Sequence, residues 1–383
     1  MSVYRYFATD VVTGALRATE IPLHVSNFSR NLGGVGQPGQ LTGYLDLGAI
    51  PNQAQMLAAL EPRRSLLWVQ QDGFPVWAGI VWDWPHTSAA SNRIPILADE
   101  LGTLFSRRQI RDNLTWNGID QFDLLRNLIS YATSVSIKGA QAAVAQLVMT
   151  SAKAGVTISE SYLATNLTKV QDALDQSSLK YNLEYAWDPG LSSSGAPIIT
   201  ARIGTAATMG RPYSATALQL IYPGNAIDYV WPRSGSQGRN SVLAIASGGG
   251  GQAWASNYTT HGLDTADLAA GFPLLEDSVS YTGSVINTQA QIDAFADYRQ
   301  QQVAKAPTVA RFSVAGGQTP TVQQVQLGDH AMAIATSTYH PPGPGGAPGL
   351  VQDGRIIGWT VYPPDAEQKQ TERTDFFLGG VST

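Results

Sequence analysis

The chain has no cysteine, which excludes disulfides, thiolate nucleophiles and Cys-ligated zinc. Charge is scarce: Asp, Glu, Lys and Arg make up 14% of the residues, where about 25% is usual. Either neighbours cover much of the surface, or Gln, Ser, Thr and Asn supply its polarity; composition leaves both open. Lysine is the scarcest cation, confined to Lys138, Lys153, Lys169, Lys180, Lys305 and Lys369. Basic residues never run beyond pairs such as Arg63-Arg64 and Arg107-Arg108, and the net charge is −5. That balance argues against a dedicated nucleic-acid binder, which needs a basic stripe to displace counterions from phosphates. No apolar run approaches the ~20 residues that span a bilayer. The opening MSVYRYFATD lacks a basic segment followed by an apolar one, so no secretory signal is expected and synthesis is expected in the cytoplasm.

What is abundant is strand signal. The chain is organised around RRSLLWVQQDGFPVWAGIVWDW, residues 63–84. Ser65–Gln70 and Val76–Trp82 flank Gln71-Asp72-Gly73-Phe74, and Asp-Gly between β-rich runs predicts a tight hairpin. Trp68, Trp77, Trp82 and Trp84 crowd into this stretch, as a core seed or as an interface. With 383 residues, two or three domains are expected.

Residues 1–110 read as short strands: Val3–Thr9, Leu16–Val25 interrupted by Pro22, Gln40–Leu47, the hairpin, and Arg93–Leu97. A helix is expected over Asn52–Leu60 and a helical turn over Asp99–Phe105. A Gly-rich link, Gly33 to Gly39, separates the early strands. Many short strands with regular turn signals favour a barrel or sandwich. Residues 111–204 read as a smaller mixed module. Asp120 caps a helix over Gln121–Ala132, with Phe122, Leu125, Ile129 and Ala132 on one face. Thr168-Lys169-Val170-Gln171 fits a capping box. Tyr181–Trp187 and Pro197–Ile203 are strands, with Asp188-Pro189-Gly190 as a turn. Residues 205–240 read as a bridge, with a turn at Tyr222-Pro223-Gly224-Asn225 and a strand over Ala226–Trp231. Residues 241–383 return to strands at Asn240–Ala246, Thr308–Val314, Val322–Gln326, Ala331–Thr338, Arg355–Tyr362 and Arg373–Leu378. A helix inserted at 288–306 opens on a second capping box, Thr288 to Gln291. Tyr339–Leu350, with HPPGPGGAPG at its centre, can form neither helix nor sheet and is an extended loop.

Catalytic signatures are missing. His24, His86, His261, His330 and His340 are isolated, and no HExxH or GxSxG occurs. The Gly248–Gly251 run lacks the Lys-Ser/Thr of a phosphate-binding loop. Asp365, Glu367, Glu372 and Asp375 gather only near a polar turn. No catalytic, cofactor or metal site is expected.

Several segments together resemble minor tail proteins of long-tailed phages, especially those of GC-rich actinobacterial hosts. They are Tyr222-Pro223-Gly224-Asn225, Trp231-Pro232 and Arg239-Asn240-Ser241-Val242 before the glycines; the opening FATDVVTGALRATEIPL; VWAGIVW; and Leu327-Gly328-Asp329 with Gly354-Arg355-Ile356-Ile357-Gly358. The resemblance implies a tail-tip, or baseplate, hub: a β-rich α+β subunit with two β-barrel-like modules around a mixed one. It implies a homotrimeric ring matching the sixfold tail tube, with the distal tail or tube protein, tip proteins and the tape measure as partners. DNA would pass through its channel without specific binding, which an acidic chain suits. Residues expected at an oligomer or partner interface are Trp82, Trp84, Arg107, Arg108, Tyr339, His340, Pro341 and Pro342. Competing readings are a cell-surface carbohydrate binder with exposed Trp as the stacking surface, a distal tail protein, and a cell-wall hydrolase.

Overall fold

A computed structural model describes residues 2–33, 37–85, 92–134, 143–231, 239–248, 253–286, 288–303, 309–367 and 369–379. The Gly34-Val35-Gly36 part of the first link, His86, the loop from Pro232 to Gly238, Gly249–Gly251 and the expected helix end at Ala306 lie outside the described residues.

The first third supplies β1 (Tyr4–Asp10), β2 (Leu16–Ala18), β3 (Leu23–Asn31), β4 (Gln40–Asp46), α1 (Gln53–Ala59), β5 (Ser65–Gln71), β6 (Phe74–Asp83) and β7 (Arg93–Glu100). Next come α2 (Gly102–Phe105), β8 (Leu114–Asp120), α3 (Gln121–Ser134), β9 (Leu147–Met149), β10 (Thr157–Tyr162), α4 (Val170–Tyr181), β11 (Leu183–Leu191) and β12 (Pro197–Thr205). Then follow α5 (Tyr213–Thr216), β13 (Leu218–Tyr222), β14 (Ala226–Val230), β15 (Ser241–Gly248), β16 (Ala253–Ala255), α6 (Thr265–Ala269), β17 (Glu276–Ile286) and α7 (Gln289–Val303). The last strands are β18 (Ala310–Ala315), β19 (His330–Ala335), β20 (Leu350–Tyr362) and β21 (Arg373–Gly379).

The class is β-rich α+β, as the pattern predicted. Thirteen strands form a single sheet in the order β14-β18-β21-β20-β3-β4-β7-β6-β5-β1-β2, with β19 on β20 and β13 on β19. The strands expected to split into two barrel-like modules thus share this sheet, and no sheet among the described residues closes into a barrel. The reason is the length of β20. Its first half pairs with β19, while Gly358–Val361 pairs with Phe28–Asn31 of β3 and also with β21. Smaller sheets are β10-β8, β11-β12-β9 and β16-β15-β17.

The hairpin forms as its turn chemistry demands, with Asp72 at φ 50° and Gly73 at φ 87°. Alternation then sends its side chains into two different cores. Leu67, Val69, Trp77 and Val81 face one that also holds Phe28, Trp359, Phe312 and Phe376. Leu66, Trp68, Ile80 and Trp82 face the other, built with Phe105, α3, α4, β11 and β12. Burial on both faces explains why β5 and β6 read as nearly continuous apolar runs. Trp68 and Trp77 are fully buried, with their indole N–H groups donating to Thr9 Oγ1 at 2.9 Å and Ser29 O at 2.8 Å. A third cluster, around Ile292, Phe295 and Tyr281, seats α7 on β15 and β17.

Helix starts follow their caps in part. Asn52 accepts from Gln55 N, Asp120 accepts from Phe122 N, and Thr288 and Gln291 exchange the two bonds of a capping box. The box expected at Thr168 does not form. Lys169 is the N-cap, and its ammonium has no acceptor to offer a backbone N–H; the Gln171 amide instead donates to Asp175 and to Tyr185 Oη at 2.6 Å. Asp188-Pro189-Gly190 is not a turn but part of β11, which pairs only with β12 in its sheet. A proline is tolerated on such an edge, because its missing N–H leaves no ladder bond unmade. Val322–Gln326 is a succession of turns rather than a strand; Val322, Val325 and Leu327 are nonetheless buried.

Candidate assembly surface

The described histidines each contact an oxygen. His24 Nδ1 lies 3.1 Å from Asp365, His261 Nδ1 2.7 Å from Asp297, His330 Nδ1 2.8 Å from Asp353 and His340 Nδ1 2.9 Å from Tyr229 Oη. The bond to Asp297 raises the His261 pKa. The late acidic residues are structural ties too. Glu372 accepts from Ser2 N at 3.0 Å and Tyr4 Oη at 2.9 Å, and Asp375 is buried beside Arg373 at 3.1 Å. Among the described residues no group of His, Asp and Glu is arranged to hold a metal, and no helix is long and apolar enough to cross a membrane.

The strongest electrostatics form a buried seam that no local motif announced. Arg30 on β3 is 6% exposed; its guanidinium donates to Glu100 at 3.2 Å, to Trp187 O at 2.8 Å and to Asp188 at 2.6 Å. Glu100 also accepts from Gly39 N at 2.7 Å. Burial pushes the Glu100 carboxyl up to about 7, against the opposing pull of Arg30 and Gly39. Asp188 moves the other way: burial opposes its charge, but Arg30 and Arg202 together outweigh it. Arg202 spans from Asp188 at 2.6 Å to Leu327 O at 3.0 Å, and Arg355 grips Glu184 through two bonds of 2.8 and 2.6 Å. Arg211 and Asp329, the latter fully buried, close the same region. Gly33 N donates to Tyr185 O, and a Cβ at Gly33 would overlap the Tyr185 ring. These bonds hold the mixed α+β segment against β3, β7 and β20.

The residues expected at an interface fall in two places. Trp82 is 9% exposed, its indole N–H donates to Thr103 Oγ1 at 2.8 Å, and the exposed Arg107 guanidinium covers its ring at 4.1 Å. Trp84 is half-buried and donates to Leu60 O at 3.1 Å; Arg108 is half-buried, and its carbonyl accepts from Val170 N at the start of α4. Tyr339, Pro341 and Pro342 are exposed, with Tyr339 at 90%. Among the described residues no hydrogen bond or ring contact links the two sets.

The second set borders an aromatic cleft of about 630 Å³, lined by Tyr222, Tyr229, Trp231, Tyr339 and His340, with Asp228, Ser337 and Thr338 adding polar groups. Its floor is Tyr229, whose ring stacks on the buried Phe312 at 5.6 Å. Ser337 N donates to His340 O at 2.9 Å, and Ser337 Oγ accepts from Tyr339 N at 3.1 Å and His340 N at 3.2 Å. The turn bearing Tyr339 is therefore fixed before anything binds. The sequence signal for this cleft was available in the aromatics around Pro223 and His340, but about 110 residues of chain separate its two halves.

No protein-family model matches the chain, and no curated relative matches its sequence. Solved structures do share its fold from end to end. A tail protein from Neisseria meningitidis is 12% identical, covers 98% of this chain and 96% of its own, and superposes with a TM-score of 0.55. The 43 kDa tail protein of prophage MuSo2 from Shewanella oneidensis is 12% identical over 98% of each chain, with a TM-score of 0.59. Prophage tail protein gp18 from Listeria monocytogenes is 10% identical over 98% of this chain and 94% of its own, at 0.50. The architecture described above is thus one found in phage tail proteins.

Proposed function

We propose that this chain is a structural, non-enzymatic component of a phage-type tail. The observation that carries the reading is the fold likeness to three tail proteins over 98% of the chain. Burial of Trp68, Trp77 and Trp82 supports it further, by removing the stacking platform that the rival carbohydrate reading placed on them.

Within that role we assign the chain to the tail tip of a long-tailed particle, as a homotrimeric hub between the sixfold tube or distal tail protein and the tip proteins. The tape measure and DNA would pass through its channel. Residues 1–110 and 241–383 would be the two related modules, with 111–204 and 205–240 between them. Trp82, Trp84, Arg107 and Arg108 on one side, and Tyr339, His340, Pro341 and Pro342 on the other, would meet neighbours. Closed cyclic symmetry would cover free sheet edges such as β2. The test is electron microscopy of assembled particles with the chain labelled, together with light scattering of the purified protein. Threefold density at the tip is expected. Sixfold density selects a distal tail protein, and a monomer in assembled tails rejects the ring. Lysis of host peptidoglycan in a zymogram rejects the non-enzymatic role.

A further inference from the structure

We infer that the cleft between β14 and the Ser337–His340 turn is a binding site for a neutral saccharide. The volume of about 630 Å³ lies within the ~300–1,000 Å³ typical of small-ligand sites. Its lining joins aromatic rings to hydroxyl and carboxylate groups, the chemistry that binds a sugar by packing its C–H face on a ring and bonding its hydroxyls at the edge. Trp231, in T-shaped contact with Phe312 and His340 at 83° and 81°, holds its ring in the lining. Tyr339, 90% exposed on a hydrogen-bonded turn, stands at the opposite lip as a second ring. A preformed cleft of this kind loses little freedom on binding.

Charge selects the class of saccharide. Among the described residues Asp228 is the one charged residue in the lining, and one of its oxygens accepts from Arg311 at 2.7 Å. No Lys or Arg lines the cleft among the described residues. An anionic sugar would meet the Asp228 carboxylate and a chain of net charge −5, and Arg311 beside the lining is already paired with Asp228. A neutral sugar meets acceptors, hydroxyls and rings. This site is distinct from the Trp cluster of the hairpin; it shares Tyr339 and His340 with the proposed neighbour contact, so a saccharide and a neighbour would compete for it.

Isothermal titration of the full chain with chitotriose, maltotriose, mannotriose and galactotriose tests the assignment. At least one should bind with a dissociation constant on the order of 1 mM or tighter. That affinity should fall about tenfold or more in Tyr339→Ala and in Trp231→Ala. Tyr339 is exposed enough that its variant keeps the fold, and Tyr258→Ala, at an exposed tyrosine outside the cleft lining, should bind as the parent does. Silence toward all four sugars overturns the site, as does binding that both cleft variants leave unchanged. Binding of a synthetic HPPGPGGAPG peptide, with the sugars silent, also overturns it and makes the cleft a seat for the loop of a second copy. None of these outcomes alters the symmetry seen in particles, so the tail reading is judged separately.

Discussion

Arg30→Met is the perturbation that most directly probes how the mixed segment is held. The change keeps an unbranched side chain in the same space but removes the bonds to Glu100, Trp187 O and Asp188. Asp188 retains Arg202, so its charge stays compensated. Glu100 does not: it is 2% exposed and keeps only backbone donors such as Gly39 N. Breaking a buried pair from one side costs about 3–5 kcal/mol, because the remaining charge is stranded in a poor dielectric. Glu100 has an escape that most buried carboxylates lack near neutrality. With its pKa already at about 7 in the parent, it sheds its charge by taking up a proton. The cost of Arg30→Met should therefore be full at pH 8 and smaller by about 1–2 kcal/mol at pH 5.5, one pKa unit being worth about 1.4 kcal/mol. Arg30→Met with Glu100→Gln should recover much of the loss at pH 8 and show little pH dependence. Urea unfolding followed by tryptophan fluorescence at both pH values reads all three quantities. A single variant within about 1 kcal/mol of the parent at pH 8 refutes the reasoning. So does a loss independent of pH, or a double variant as weak as the single one.

Other consequences follow from the same contacts. In the parent, the folded state holds the Glu100 proton up to about pH 7, whereas an unfolded glutamate loses it near 4.3. Stability from this group should thus fall by up to about 4 kcal/mol as pH rises through that window, and Glu100→Gln should flatten the profile in urea titrations. Gly33→Ala should lower stability by roughly 2–4 kcal/mol through overlap with the Tyr185 ring, detected as earlier unfolding of the mixed segment in hydrogen exchange. Asn52→Ala should cost about 1 kcal/mol through loss of its cap bond to Gln55 N. Thr168→Ala should cost under about 0.5 kcal/mol, since no side chain caps α4; equal losses by denaturation would contradict the cap assignments. Deleting Pro341–Pro348 should leave the Tyr229–Phe312 packing and the thermal midpoint nearly unchanged while impairing tail assembly in complementation. Normal tails would show that the loop makes no needed contact.

The sequence determined what is local. Asp72-Gly73 fixed the hairpin because few residues accept that turn's backbone angles. Asn52, Asp120 and Thr288 fixed three helix starts because a cap acts within one turn of chain. The apolar face of α3 and the breaks at Pro22 and Pro223 were equally legible, and so was the strand-rich class. The Trp-rich hairpin stood out as a core seed or an interface, but that its alternating residues enter two different cores depends on what lies against each face. Only the tertiary structure decided that β20 joins the two ends of the chain, because a strand's edge carries backbone groups that look alike in any sequence. The same holds for the Arg30–Glu100–Asp188 seam, whose members lie 70 and 158 residues apart. Asp329 is likewise a fully buried carboxylate only because Arg211, 118 residues away, folds onto it. Asp188-Pro189-Gly190 carried every mark of a turn, and an edge position in a sheet turned it into strand. Local backbone preference is set by neighbours in sequence, whereas burial, pairing edge and charge partner are set by neighbours in space, and one chain read alone contains only the first.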